Sequence, residues 1–378
     1  MNAILTLNAG SSSIKFAVYS DAPEPELLQV GQVENLGPIA QLTLNRTAAR
    51  PIGPADHASA LPAILEAVSP VLAGRELVGV GHRIVHGGKS FVAPVVLEAE
   101  QLTQLEALEP LAPLHQPHNL ATVRAAQRAF PDVPQVGCFD TAFHVGHPMV
   151  NDVFALPRRF YEKGVRRYGF HGLSYDYITQ TLRRDYPELA AGRVVVAHLG
   201  NGASMCAIRD GQSIGSTMGF SALDGLPMGT RCGQLDPGVL LYLMDQGLSR
   251  EAITHILYKE SGLKGLSGMS HDMRALLASD DPHAAEAIDY YVFRIRRELG
   301  AMAAILGGID GLVFCGGIGE NAAPIRARVL DGMEFLGLHL DASANRAGGP
   351  LISTGQAHAL VIPTDEERVI ARAVVRLL

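Results

Sequence analysis

The chain has 378 residues, a formal net charge of −7, 47% hydrophobic and 18% charged residues. This length suggests about two domains, and the composition is that of a packed globular protein, not a disordered one. The acidic balance argues against a nucleic-acid partner, which calls for a basic face, and the longest uncharged stretch, Leu299 to Ile309, is too short to span a bilayer.

The first element is a buried strand around Ile4, Leu5 and Leu7, running into the turn NAGSSSIKF from Asn8 to Phe16. After the turn, Ile14, Phe16 and Val18 alternate with Lys15, Ala17 and Tyr19, the period-2 pattern of a half-buried strand. Gly10 permits close approach of the backbone to a ligand. The hydroxyls Ser11 to Ser13, the turn N–H groups and Lys15 together form a candidate phosphate cradle. An ordinary polar hairpin would contain the same residues. Asn8 interrupts the only early apolar run and no basic residue precedes it, so no secretory signal is expected. The four cysteines, Cys138, Cys206, Cys232 and Cys315, form no CxxC pair and fit reduced thiols in a cytoplasmic protein.

Helical patterns follow over Ala99–Leu111, ending near Pro110, and over Leu120–Phe130, stopped by Pro131. The Pro148–Pro157 region is the expected crossing between lobes, giving one lobe of residues 1–147 plus 364–378 and another of 148–363. The basic cluster Arg158, Arg159, Lys163, Arg166 and Arg167 reads as a solvated loop. A helix covers Ser174–Leu182. Val194–Ala197 then forms a strand entering HLGNGAS, with Ser204–Ile208 returning from the Asn201-Gly202 turn. This second hairpin suggests two lobes of similar design, although Asn-Gly hairpins are common enough to coincide. The longest helix, Glu286–Leu306, feeds the strand Leu312–Cys315. The final helix is expected to start with Thr364 as N-cap and Glu367 closing a capping box. Strands alternating with helices define an α/β fold.

Polar and glycine-rich clusters fall at strand ends: GHRIVHGG (81–88), CFDTAFH (138–144), RRYGFHG (166–172), MGTRCGQLDPG (228–238) and CGGIGEN (315–321). In open α/β folds such clusters converge on a ligand. A Walker A sequence is absent, which excludes a P-loop as the phosphate site. The spacings His82/His86, His115/His118 and His144/His147 raise a metal-dependent hydrolase as an alternative. Against it, HExxH is missing and Pro117 and Pro148 interrupt two of the pairs.

Together NAGSSSIK, VGHRIVHGG, CFDTAFH, RRYGFHG, HLGNGAS, MGTRCGQLDPG, GIGEN and the terminal TDEE helix closely resemble the acetate kinase family, from residue 4 to the last helix. Propionate kinases share most of these motifs and remain the nearest alternative. A non-catalytic ATP-dependent clamp on the same fold is a third. The resemblance implies two actin-like (ribonuclease H-like) lobes with the nucleotide and acyl sites in the cleft between them. It also implies reversible transfer of the ATP γ-phosphoryl group to acetate. A carboxylate is already ionised near pH 7 and needs no general base, so catalysis should come from positioning and from cations aimed at the transferring group.

By resemblance, Arg83 binds the carboxylate, and His171 and Arg231 stabilise the transition state. Asp140 matches the family's catalytic acid or base, but the chemistry favours an orienting carboxylate. An ion pair of Arg231 with Asp236 is the structural alternative for that arginine. Val85, Leu114, Phe170 and Ala222 correspond to the acyl pocket, with Ala222 standing where relatives often carry proline. For the nucleotide, the matching residues are Lys15, His198, Leu199, Gly200, Asn201, Gly202, Asp272, Met273, Arg274, Gly317, Ile318, Gly319, Glu320 and Asn321. Met273 replaces a frequent aromatic. Asn8 and Glu366 are the expected partners of Mg2+, for which Mn2+ can substitute, while Glu367 is left to the capping box. The implied partners are a short carboxylate and ATP or ADP, with no nucleic acid and no membrane. A cytoplasmic homodimer is expected, although no exposed stripe in the sequence marks its interface.

Overall fold

The computed structural model describes residues 2–10, 12–45 and 47–378. Ser11, one of the hydroxyls read into the first turn, lies outside the described residues. The chain forms two compact units, one of Met1–Val145 with Asp365–Leu378 and the other of Gly146–Thr364.

The first unit is built on β1 (Asn2–Ala9), β2 (Ile14–Ser20), β3 (Leu27–Glu34), β4 (Gly37–Leu44), β5 (Arg50–Ala55), β6 (Glu76–Ile84), β7 (Val95–Val96) and β8 (Gln135–Phe139). Their order in the sheet is β5-β4-β3-β2-β1-β6-β8-β7. β1, β6 and β8 run parallel, so their carboxyl ends lie together. β2 is buried everywhere except Lys15 and Ser20, not half-buried as its alternation predicts. It lies between β1 and β3 and joins the same core as Ile64 and Val68 of the Leu61–Leu72 helix. The meander β3–β5 has no counterpart in the sequence reading, because its glycines, prolines and half-exposed polar positions mask the strand pattern.

The second unit holds β9 (Arg193–Leu199), β10 (Ala203–Arg209), β11 (Gln212–Ser216), β12 (Gly311–Cys315) and β13 (His358–Val361), ordered β11-β10-β9-β12-β13. β9, β12 and β13 are parallel, while β10 pairs antiparallel with both neighbours. The sequence β3-β2-β1-β6-β8 in the first sheet has the same order and sense. The first strands of both sheets therefore form a hairpin that follows the carboxyl end of a central parallel strand.

Several helices differ from the sequence expectation. The pattern over 99–111 splits into a helix Ala99–Glu106 and a separate turn Glu109–Leu111, and the Gln116 side chain donates to the Leu105 carbonyl that the break exposes. The helix expected from Leu120 starts earlier, at Gln116. The long helix runs Pro282–Leu306, with Asp281 as N-cap and Gly307, at φ +72°, as its stop. In the basic cluster, Arg166 pairs with Asp152 and Arg167 with Asp224, and their guanidinium groups lie over Tyr161 and Phe154. Those two arginines are structural, not solvated.

The final helix, Glu366–Leu377, is capped by Asp365, whose carboxylate accepts from the Arg368 amide at 3.0 Å. Thr364 is not the cap, and among the described residues its hydroxyl has no hydrogen-bond partner. This helix buries Val369, Ile370 and Val374 on β1 and β6. The approach is so close that a Cβ on Gly81 would stand 2.3 Å from Ile370 Cγ2. Gly81→Ala should therefore cost about 1–3 kcal/mol through overpacking, measured by urea unfolding. It should also lower activity at saturating substrates, because the displaced helix carries Glu366 and Glu367.

Candidate active site

In the first unit the expected residues gather at the carboxyl ends of the three parallel strands: Asn8 on β1, Arg83 on β6, and Asp140 just beyond β8. Such ends are where open α/β sheets bind ligands. Arg83 forms a bidentate pair with Asp140, Nη2 to Oδ2 at 2.6 Å and Nε to Oδ1 at 3.1 Å. The two side chains are 16% and 1% exposed, so the pair is largely desolvated. Arg83 Nη1 also donates to Asn8 Oδ1 at 3.3 Å. Burial works against the guanidinium charge, yet Asp140 and the nearby glutamates hold its pKa above the ordinary value. Of the five N–H groups of an arginine, these contacts engage three. Among the described residues these contacts leave one hydrogen on each terminal nitrogen unused.

Asn8 Nδ2 donates to Glu366 Oε2 at 3.2 Å and to Glu367 Oε1 at 3.1 Å. The expected division of labour between these glutamates fails, because Asp365 caps the helix and leaves Glu367 beside Glu366. Burial, and then the Glu366 charge, push the Glu367 pKa up, while Lys15 pulls it down. Two carboxylates around one amide form a hard-oxygen set of the kind that magnesium takes. Among the described residues no group of three or more His, Cys, Asp or Glu is disposed as a complete metal cage.

In the second unit, His171 occupies the N-cap of the helix Gly172–Asp185 with φ +58°, a left-handed conformation costly for a non-glycine residue. Its ring stacks on His198, from the end of β9, with centroids 4.3 Å apart. Arg231 Nη1 donates to the Ala222 carbonyl at 3.2 Å and touches Met228 Sδ. Asp236 instead caps the helix Pro237–Asp245 through the Gly238 amide. A Cβ on Gly202 would meet His171 Nε2 at 3.2 Å and Arg231 Nη1 at 3.9 Å, so these groups converge on the HLGNG turn.

A cavity of about 730 Å³ in the same unit is lined by Gly200, Asn201, Asp272, Met273, Arg274, Gly317, Ile318 and Asn321 from the expected nucleotide set. His271, Leu277, Ala322 and Pro324 also line it. They flank the motifs by one to three positions and carry no signal of their own. His198, Leu199, Gly202, Gly319 and Glu320 are not on its wall. Glu320 turns inward, its Oε1 accepting from the amides of Gly316 and Thr364. Lys15 belongs to the first unit. Of the expected acyl residues, Val85 and Leu114 lie in the first unit and Phe170 and Ala222 in the second. Val85 and Phe170 are each 3% exposed.

The histidines considered for metal hydrolysis are otherwise engaged. His82 binds Gln135, His86 accepts from the Gly88 amide, His118 stacks on His57, and His147 contacts Ser213. Burial lowers the pKa of His82, His86 and His147 to about 4. Among the described residues no helix is long and apolar enough to cross a membrane. An exposed apolar surface that the sequence did not mark lies on the helix Pro237–Asp245, which has no buried residue and exposes Leu241, Tyr242 and Met244.

Two units of one α/β topology, each with polar residues at the ends of its parallel strands, place the chain among the actin-like α/β proteins. The family model described as the Acetokinase family matches residues 3–372, and the chain belongs to that family. It is 56% identical to an acetate kinase of Methylocella silvestris, covering 99% of this chain and 98% of that protein. It is 49% identical to one of Rhizobium meliloti over 100% and 99%. Among solved structures, a propionate kinase from Francisella tularensis superposes with a TM-score of 0.94 at 35% identity over the whole of both chains. The Porphyromonas gingivalis acetate kinase gives 0.87 at 38%, covering 98% of each.

The Glu367 environment makes a pH-dependent prediction. A carboxyl whose folded pKa is raised contributes stability present below the unfolded value, near 4.5, that is lost as pH rises through the folded value. Glu367→Gln removes that loss. The variant should therefore melt higher than the parent protein at pH 7–8, with the gap closing as the pH falls towards 4.5, followed by differential scanning calorimetry. A variant that melts lower at neutral pH would refute the assignment.

Proposed function

We propose that the chain transfers the γ-phosphoryl group of ATP reversibly to acetate, giving acetyl phosphate and ADP, as a cytoplasmic homodimer. The observation that carries this reading is the Arg83 guanidinium. Asp140 aligns it and leaves two of its N–H groups for a carboxylate. The acceptor is already an anion, so what opposes reaction is the approach of two negative charges. Arg83 neutralises the acceptor and presents one oxygen as nucleophile. Asp140 acts as the orienting partner of Arg83, its oxygens occupied by that pairing, and no proton transfer is assigned to it.

Arg231 and His171 contribute donors to the charge that spreads over the transferring oxygens, Arg231 being oriented by the Ala222 carbonyl. The 730 Å³ cavity takes the nucleoside, with Asn201 and Gly202 guiding the phosphates towards His171. Val85 and Leu114 in the first unit, and Phe170 and Ala222 in the second, are each apolar and fit an acyl methyl group. Glu366 and Glu367, aligned by Asn8, would hold Mg2+ through water or directly, and the ion would neutralise and bridge the phosphates. The apolar face of the helix Pro237–Asp245 supports self-association. Among the described residues the buried thiols Cys138, Cys206 and Cys315 lie outside any disulfide, which supports a reducing compartment.

The test is formation of acyl hydroxamate from acetate and ATP. Arg231→Ala should lower kcat by about 10²–10³-fold with little change in KM for ATP, and Arg83→Ala should in addition raise KM for acetate. Equal, minor effects of both changes, or full turnover in EDTA, would reject the scheme. Leu241→Glu should convert a dimer to monomers in sedimentation velocity, and a parent protein that is itself monomeric would reject that part.

A further inference from the structure

The stacked imidazoles of the second unit support a further reading, which rests on the assignment of His171 to the phosphoryl-transfer site and of His198 to the nucleotide set. Each ring has its Nδ1 against a buried serine. His171 Nδ1 lies 2.8 Å from Ser204 Oγ, and His198 Nδ1 lies 2.8 Å from Ser174 Oγ. Both serines are 0% exposed. Behind each is a second buried donor: the Tyr175 phenol contacts Ser204 Oγ, and Cys315 Sγ lies 3.7 Å from Ser174 Oγ. On the opposite edges, His171 Nε2 and His198 Nε2 stand 3.2 and 3.9 Å from the Cβ positions of Gly202 and Gly200.

We propose that Ser204 with Tyr175, and Ser174 with Cys315, are positioning residues that fix both imidazoles in the Nε2–H form, so that the stacked rings present two proton donors to the Gly200–Gly202 turn. An imidazole nitrogen that accepts a hydroxyl proton must carry a lone pair, which leaves the proton of the neutral ring on the other nitrogen. Burial raises the Tyr175 pKa well above 10, so the phenol keeps its proton. It donates to Ser204 Oγ, which directs the serine hydrogen at His171 Nδ1. The Cys315 thiol, a weak donor, lies 3.7 Å from Ser174 Oγ and 3.9 Å from His198 Nδ1, so its hydrogen is directed at the same nitrogen through the serine or directly. The inverse tautomer would turn an Nε2 lone pair towards phosphate oxygens and oppose binding of the transferring group. The serines thus set which nitrogen of each ring carries hydrogen.

Tyr175→Phe removes one oxygen and Ser204→Ala another, both with the side-chain packing kept. Each should lower kcat by about tenfold, the lower end for removing a partner that orients a ligating group, with KM for ATP changed less than twofold. In 15N NMR of the imidazoles, His171, identified by its loss in His171→Asn, should be in the Nε2–H form in the parent protein and a tautomer mixture in Ser204→Ala. His171→Asn serves as the control for the underlying assignment. If it leaves kcat unchanged, both that assignment and the relay fall. If it slows turnover while Ser204→Ala and Tyr175→Phe match the parent in kcat and tautomer, the relay alone is overturned.

Discussion

The charge balance around Arg83 constrains the first unit more than any other interaction. One guanidinium is buried where three parallel strands end, and three carboxylates, Asp140, Glu366 and Glu367, surround it and its partner Asn8. Removing one member of such a pair leaves an unmatched buried charge and costs about 3–5 kcal/mol. Asp140 must therefore accompany Arg83, which ties the ends of β6 and β8 together. Asn8 ties β1 to both by accepting from Arg83 through its oxygen and donating to the glutamates through its nitrogen. The terminal helix has to return to this unit to deliver those glutamates, and Gly79 and Gly81 let it lie against the strands. Close packing and charge placement thus depend on one another.

The second unit repeats the strand order but solves a different problem at its strand ends. Its central hairpin turn, Gly200–Gly202, is bare of side chains apart from Asn201, and the polar groups around it come from elsewhere: His171 from a helix N-cap, His198 from β9, Arg231 from a loop. The first unit concentrates carboxylates and a fixed arginine. The second brings two imidazoles, an arginine and a cavity. A shared topology supplies the location of a site, and the side chains at the strand ends decide its chemistry.

Much of this was legible in the amino-acid order. The hairpins around Asn8–Lys15 and Asn201–Gly202, the strand Leu312–Cys315 and the helix before it carry strong local signals: alternation, Asn-Gly turns, and apolar spacing along a helix. The Asn-Gly resemblance between the two turns reflects the same strand order in both sheets. What escaped were features set by distant partners. β2 is buried on both faces because β3 and the Leu61–Leu72 helix complete its surroundings, and neither is visible in the β2 sequence. Arg166 and Arg167 look like a solvated basic run until Asp152 and Asp224 are brought beside them. Glu320 reads as a ligand residue because of its motif, yet it spends its carboxylate on the amides of Gly316 and Thr364.

The start of the last helix gathers these lessons in four residues. Thr364 and Glu367 have ideal capping-box spacing, and Asp365 differs from Thr364 by only one position. The choice between them is made outside the helix. The Thr364 amide donates to Glu320, which anchors that residue in the second unit, whereas the Asp365 carboxylate accepts from Tyr19 and pairs with Arg368. Moving the cap by one residue releases Glu367 from the capping box and sets it beside Asn8, next to Glu366. Both carboxylates then sit in the first turn, where the helix dipole favours negative charge, and Asn8 holds them together. Thr364 and Asp365 can both cap a helix, and the hydrogen bond from Tyr19 on β2 accompanies the Asp365 register, which leaves two carboxylates beside Asn8.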